Sequence, residues 1–230
     1  MILTNLDEQF RGIEKLKWLP WVGKNYFSNL NNEKLLIVGE SHYDEDSIQE
    51  ALTKADFTRG FIKLWGVENP NGNQPVLRNT ERALFGYEPF IDLKKKLWES
   101  VGYYNFIQRI LFSLEASDRP IGEDYLIAWD TFFKVVEILK PQFCLFCGVA
   151  SSDWIFYFNQ ACERNSFRTE GIHRLESKIN STYPRSATIF STQDVKTKLI
   201  FMKHPSKYFI WEDWAEYINE QIGNYPQSIT

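Results

Sequence analysis

The sequence predicts an α/β fold, with a central, mostly parallel sheet of four or five strands in a three-layer α/β/α arrangement. Three observations predict it. Short, continuous apolar runs bounded by Gly or polar residues recur along the chain, as buried parallel strands do. Segments of helical period lie between them, and that alternation builds a sheet covered by helices. The 230 residues are 43% hydrophobic and 24% charged, a globular composition with enough chain for a sizeable core.

Leu35–Val38 is the first such run, and Ser47-Ile-Gln-Glu50 is a capping-box pattern that opens a helix after it. The Asn, Gly and Pro cluster from Asn69 to Pro75 reads as a surface loop. A run over Gly102–Ile107 supplies the fifth strand. Glu123–Lys140 places Leu126, Trp129, Phe133, Val136 and Leu139 near a 3.6-residue period, with Pro141 just beyond. Phe143–Cys147, Thr188–Phe190 and Leu199–Met202 complete the strands, and Trp211 to Ile222 forms a closing helix. The chain has no internal repeat, low-complexity stretch or linker, so residues 1–230 are expected to form one domain.

The totals narrow the function. A net charge of −4 argues against a broad DNA-coating surface and leaves room for a local basic groove. Arg78, Arg82 and the Lys94-Lys95-Lys96 run are the basic clusters, and a solvated helix face accounts for them. There is no charged-then-apolar leader and no apolar run near the roughly 20 residues that span a bilayer, so a cytoplasmic location without membrane contact is expected. Three Cys, an odd number, argue against a disulfide framework and for a reducing compartment. Aromatics, at 16%, supply core and also stacking surfaces for flat ligands.

In parallel sheets ligands bind beyond the strand C-termini. Gly39-Glu-Ser-His-Tyr-Asp44 follows the first strand and Lys203-His-Pro-Ser-Lys-Tyr-Phe209 the last, and they hold His42 and His204, two of the three His. One reading is a nucleophilic Ser41 with His204 as base. A serine elbow needs a closing Gly and an immediate helix; here Tyr43 fills the Gly position and the helix signal starts at Ser47. A second reading is a divalent metal on His42, Asp44 and Asp46, although Asp-rich turns more often cap helices. Cys144 and Cys147, three apart on a strand, face opposite sides and cannot share one zinc.

The third reading comes from the order of the motifs. Gly39-Glu40 and Tyr43, then Tyr104-Asn105-Phe106, Arg119-Pro-Ile-Gly-Glu-Asp124, Lys140-Pro through Gly148-Val-Ala150, and His204-Pro205-Ser206 follow one another along the chain. In that order they resemble the uracil-DNA glycosylase superfamily over roughly residues 34 to 209. The resemblance implies a domain that hydrolyses the N-glycosidic bond of a flipped pyrimidine, uracil or a related damaged base, in single- or double-stranded DNA. It implies Glu40 and His204 as catalytic residues, with Gly39, Ser41, His42, Tyr43, Asn105, Pro205, Ser206 and Tyr208 contacting substrate. Tyr208 falls where that family inserts a wedge into the duplex. No metal, iron–sulfur cluster or other cofactor is expected, and the chain is expected to act as a monomer.

The chemistry suits those residue types. Breaking the bond leaves a sugar cation and a base anion, so a carboxylate belongs near the sugar and a donor near the base oxygen. Glu40 offers the first, a neutral His204 the second, and Asn105 both donor and acceptor for a base edge. Tyr43 can pack on the base, and an aromatic near Phe57 or Phe61 can stack on it. Each residue also has an ordinary structural role open to it: a turn for Asn105, a backbone bond for Glu40, a satisfied buried ring for His204. The chain departs from the family pattern at Ser41, where one branch has an Asp, at His42, where it has Pro, and at Lys207. The acting carboxylate is therefore Glu40, Asp44 or Asp46. These changes keep open a non-catalytic nucleic-acid or nucleotide-binding domain on the same fold.

Overall fold

A computed structural model describes residues 2–28, 33–43, 53–111, 119–153, 155–193, 195–206, 208–223, 225 and 229. Among them are seven helices and a seven-stranded mixed sheet. In chain order these are α1 (Asp7–Arg11), β1 (Trp21–Val22), β2 (Leu35–Gly39), α2 (Phe57–Ile62), α3 (Pro75–Phe85), α4 (Ile91–Ser100), β3 (Gly102–Asn105), α5 (Gly122–Leu139), β4 (Phe143–Cys147), α6 (Ile155–Arg164), β5 (Arg168–Arg174), β6 (Arg185–Phe190), β7 (Lys196–Met202) and α7 (Trp211–Ile222). A π-helical segment, Lys63–Glu68, runs on directly from α2.

The strand order is β1-β3-β2-β4-β7-β6-β5. The four central strands β3, β2, β4 and β7 are parallel; β1 pairs antiparallel with β3, β6 with β7, and the edge strand β5 with β6. The sheet is thus larger and more mixed than the four or five mostly parallel strands expected. Thr188–Phe190 does lie in a strand, but that strand pairs antiparallel with β7 rather than joining the parallel set. β1 and β5 escape a search for apolar runs because one is two residues long and the other is the polar edge sequence Arg-Thr-Glu-Gly-Ile-His-Arg.

Period-two alternation along the central strands sorts their side chains between two cores. Leu36, Val38, Cys144, Phe146, Leu199 and Phe201 join a cluster with Trp129, Phe132 and Phe133 of α5. Leu35, Ile37, Leu145, Cys147, Ile200 and Met202 face the other way, against α3, α4 and α7. Cys144 and Cys147 accordingly lie on opposite faces, as the strand period requires.

Helix ends follow local chemistry. Pro75, expected to close a loop, instead sits in the first turn of α3, where its missing N–H costs no helical hydrogen bond. The Asp124 carboxylate accepts the Ile121 N–H at 2.9 Å and caps α5, and Lys140 ends that helix in a left-handed conformation before Pro141. The Lys94–Lys96 run is a solvated face only in part: Lys96 is exposed, but Lys94 is buried. Lys94 is 3% exposed and its Nζ lies 2.7 Å from Glu88 Oε1, between α3 and α4. The capping-box segment Ser47–Glu50 lies outside the described residues. No helix among the described residues is long and apolar enough to cross a membrane.

Candidate active site

The C-terminal ends of the parallel strands bring the two His-bearing loops together. Gly39 pairs with Asn105 in parallel register, and the backbone ladder continues past the strands. The Phe106 N–H donates to the Gly39 carbonyl at 2.9 Å, Ile107 to Glu40 at 2.8 Å and Leu111 to His42 at 3.0 Å. The segment from Gly39 to Tyr43 is therefore carried on a fixed frame. Gly39 has to be Gly: a Cβ there would lie 2.3 Å from both Asn105 Oδ1 and the Tyr103 hydroxyl. The second loop is held by α3, whose Asn79 Nδ2 donates to the Pro205 carbonyl at 3.1 Å. A turn within it brings the Ser206 N–H to 2.8 Å from the His204 carbonyl.

Between the loops lies a cleft of about 600 Å³. Its polar side is Gly39, Glu40, Ser41, Tyr43 and His204, with Tyr103 on the floor. Phe57 and Phe61 from α2, Leu64 and Trp65 from the π-helical segment, and Gln74 and Val76 at the start of α3 also line the cleft. A cavity of about 150 Å³ beside Lys140 and Thr197 sits at the other end of the sheet, away from both loops.

Glu40 and His204 share this cleft. The Tyr43 hydroxyl donates to the Glu40 carboxylate, which fixes one of its oxygens. Burial, with the Glu40 charge and this bond, pushes the Tyr43 phenol far up, so it stays a donor. Burial holds the His204 imidazole below its ordinary value; Glu40 opposes this and the Arg119 charge adds to it. His204 is thus neutral at pH 7. Burial pushes the Cys147 thiol up to about 12, which makes it no nucleophile at neutral pH.

The other expected residues divide into three groups. Ser41 lines the cleft, but its hydroxyl donates to the Arg109 carbonyl, which leaves no activated nucleophile. His42 also reaches the cleft, yet it is 7% exposed and works mainly as packing. Its ring meets Trp18 and Phe57 edge-on at 4.8 and 4.6 Å, and its Nε2 is 2.9 Å from Thr58 Oγ1. Asn105, Pro205, Ser206 and Tyr208 do not line the cleft. Asn105 lies buried against Gly39, its Oδ1 accepting the Tyr103 hydroxyl at 3.0 Å and its Nδ2 without a partner among the described residues. Pro205 and Ser206 hold the His204 loop through their carbonyls. Tyr208 is 87% exposed, in a left-handed conformation with φ 59°, and projects from that loop. Asp44, Asp46 and Lys207 lie outside the described residues. Among the described residues no group of three His, Cys, Asp or Glu could hold a metal.

The sequence motifs missed Trp65, Leu64, Val76, Gln74 and Tyr103. The one legible trace of Trp65 is glycine placement: a Cβ on Gly72 would lie 2.4 Å from its ring. The π-helical segment that aims Trp65 and Leu64 leaves no such mark, though π-turns often occur at functional sites.

No family model matches the chain, and no curated protein matches it in sequence. Its function has to be read from this cleft.

Proposed function

We propose that the chain is a DNA glycosylase-like domain, of the three-layer type that the uracil-DNA glycosylase superfamily uses, and that it hydrolyses the N-glycosidic bond of a base flipped out of DNA. One observation carries the reading: Glu40 and a neutral His204, from motifs at opposite ends of the chain, face one cleft that has an aromatic wall and a buried amide behind its floor. The flipped base stacks on the aromatic wall, which offers the faces such a ligand needs. As the C1′–N bond lengthens, Glu40 stabilises the positive sugar and orients water towards C1′. The departing electron pair moves onto the base, and the His204 N–H donates to the base oxygen that takes up the charge. Water's oxygen bonds C1′ and its released proton ends on the base. Exposed Tyr208 supports a wedge role, because it lies on the His204 loop and projects into solvent.

The test is abasic-site formation on single-stranded and duplex oligonucleotides, with His204→Ala and Glu40→Gln prepared in parallel. Excision by the wild type, reduced in both variants by on the order of 10²-fold or more, is expected. Activity equal in all three proteins would reject the assignment. A binding domain without catalysis is the second reading. It is favoured by the Tyr43–Glu40 hydrogen bond, which occupies part of the carboxylate. It predicts retarded oligonucleotide mobility with no abasic product.

A further inference from the structure

The clusters that the sequence offers for a basic groove are partly committed within the fold: Arg82 pairs with Glu88, and Lys94 is buried. Another cationic surface stands on the β5–β6 hairpin. Arg174 ends β5, and Lys178 and Tyr183 lie in the connection that leads to β6. The Arg174 guanidinium carbon lies 4.3 Å, and the Lys178 Nζ 5.0 Å, from the centroid of the same Tyr183 ring. Both cations are exposed. Among the described residues neither side chain has a hydrogen bond or an ion pair, and Glu176 of the same connection pairs with neither. The ring fixes where the two charges stand without neutralising them, and it leaves their N–H donors free. Two like charges held on one ring and unanswered by a carboxylate suit an anion that reaches both.

The hairpin is tied to the loop that carries His204. Asn180 and Ser181 form a tip, both left-handed with φ 46° and 65°, between Ile179 and Thr182, whose backbones exchange hydrogen bonds of 2.8 and 2.9 Å. Lys203 donates from Nζ to Asn180 Oδ1 at 3.1 Å and to the Tyr208 carbonyl at 2.9 Å. The Ile210 N–H donates to the same Oδ1 at 3.3 Å. One lysine thus joins the hairpin tip to the exposed Tyr208. Acids bound the surface on one side. Lys178 shares a groove with Asp213, Glu216 and Glu220 of α7, which Arg174 and Tyr183 do not line. A phosphate is therefore repelled from the α7 side and accepted beside Tyr183.

We propose that this hairpin is a backbone grip: Arg174 and Lys178, held on Tyr183, bind two phosphates of the DNA strand that runs from the cleft past Tyr208. The inference rests on the glycosylase reading for its partner and on the hairpin alone for its place. None of the motifs behind that reading falls on residues 168–190.

The test is the salt dependence of binding to a fluorescein-labelled single-stranded oligonucleotide with one uracil, followed by anisotropy between about 50 and 200 mM salt. Wild type is compared with Arg174→Ala/Lys178→Ala, and with Lys95→Ala/Lys134→Ala, which removes the same charge elsewhere. The expected result is a log–log slope shallower by about 1.4 in the hairpin variant, from two phosphates at about 0.7 each, and an unchanged slope in the other. An equal fall in both variants would overturn the grip. Tyr183→Leu keeps the charges and removes the ring that holds them; its affinity is expected to fall, and wild-type affinity would overturn the part given to the ring. Single-turnover excision at saturating protein separates the grip from the glycosylase reading. Neither cation lines the cleft, so the hairpin variant should excise at the wild-type rate there. A folded hairpin variant with a slower rate would overturn a role confined to the backbone. A shallower slope with no excision by any protein would support the grip and reject the glycosylase. Excision with equal slopes in all three proteins would keep the glycosylase and reject the grip. No binding by the wild type would overturn both.

Discussion

At the scale of single residues, the site depends on a few atoms held without alternatives. Gly39 is the clearest. An Ala there would drive its Cβ into Asn105 and Tyr103 at 2.3 Å. Both neighbours are buried, so overpacking of about 1–3 kcal/mol is expected for Gly39→Ala, read as a lower denaturant midpoint. Loss of base binding should exceed the loss of stability, because the displaced amide is the one behind the cleft. His204 makes a second prediction at this scale. The imidazole's folded value lies below its ordinary 6.5, so the neutral form persists as pH falls through 6.5. Activity that needs a neutral His204 should therefore be retained as pH falls through 6.5 and be lost only at more acidic pH. A kcat profile that collapses above pH 7 on acidification would contradict the role. Glu40 and His204 were legible from sequence because each follows a strand end. The Ser41 hydroxyl's commitment to the Arg109 carbonyl was not, since that partner comes from another loop.

At the scale of elements, two polar locks position the cleft wall. Arg59 of α2 meets Asp7 of α1 through two hydrogen bonds of 2.9 and 2.7 Å, and donates through Nε to the Pro20 carbonyl at 2.8 Å. Both side chains are largely buried, so removing one strands the other. Asp7→Ala is expected to cost about 3–5 kcal/mol in denaturant unfolding and to weaken base binding, since α2 carries Phe57 and Phe61. The second lock joins α3 to α4. Glu81 accepts the Trp98 indole N–H at 2.7 Å and lies 3.8 Å from Lys94, yet burial still pushes its carboxyl up to about 7. The folded chain then keeps a proton that the unfolded chain releases from about its ordinary 4.5 upward. Stability contributed at this site accordingly falls as pH rises from 4.5 to about 7 and levels off beyond. Comparing wild type with Glu81→Gln across that window should show the slope in the wild type alone. A constant difference would refute the shift. The Lys94–Lys96 run shows why this was hidden: three consecutive Lys look solvated, but on a helix they point in different directions, and Lys94 points inward.

At the scale of the whole molecule, one sheet separates two cores, with Trp129 in one and Trp214 in the other. The same central strands feed both, so the faces should melt together. Trp129→Ala and Trp214→Ala are each expected to cost about 3–5 kcal/mol and to lower a single common transition. Two separated transitions would show that the faces unfold independently. By itself the sequence determined the α/β class, the buried central strands, the span of α5 to within a residue at each end and the His-bearing loops. These are local signals: apolar runs, helical period and capping chemistry act between neighbours in the chain. Only the tertiary structure decided that β6 runs antiparallel, that polar β5 forms an edge and that Trp65 and Glu40 line one cleft. It alone decided that Asn105 packs against Gly39. Those outcomes depend on which strands pair and which helix covers them, and pairing is settled by contacts between segments far apart in sequence.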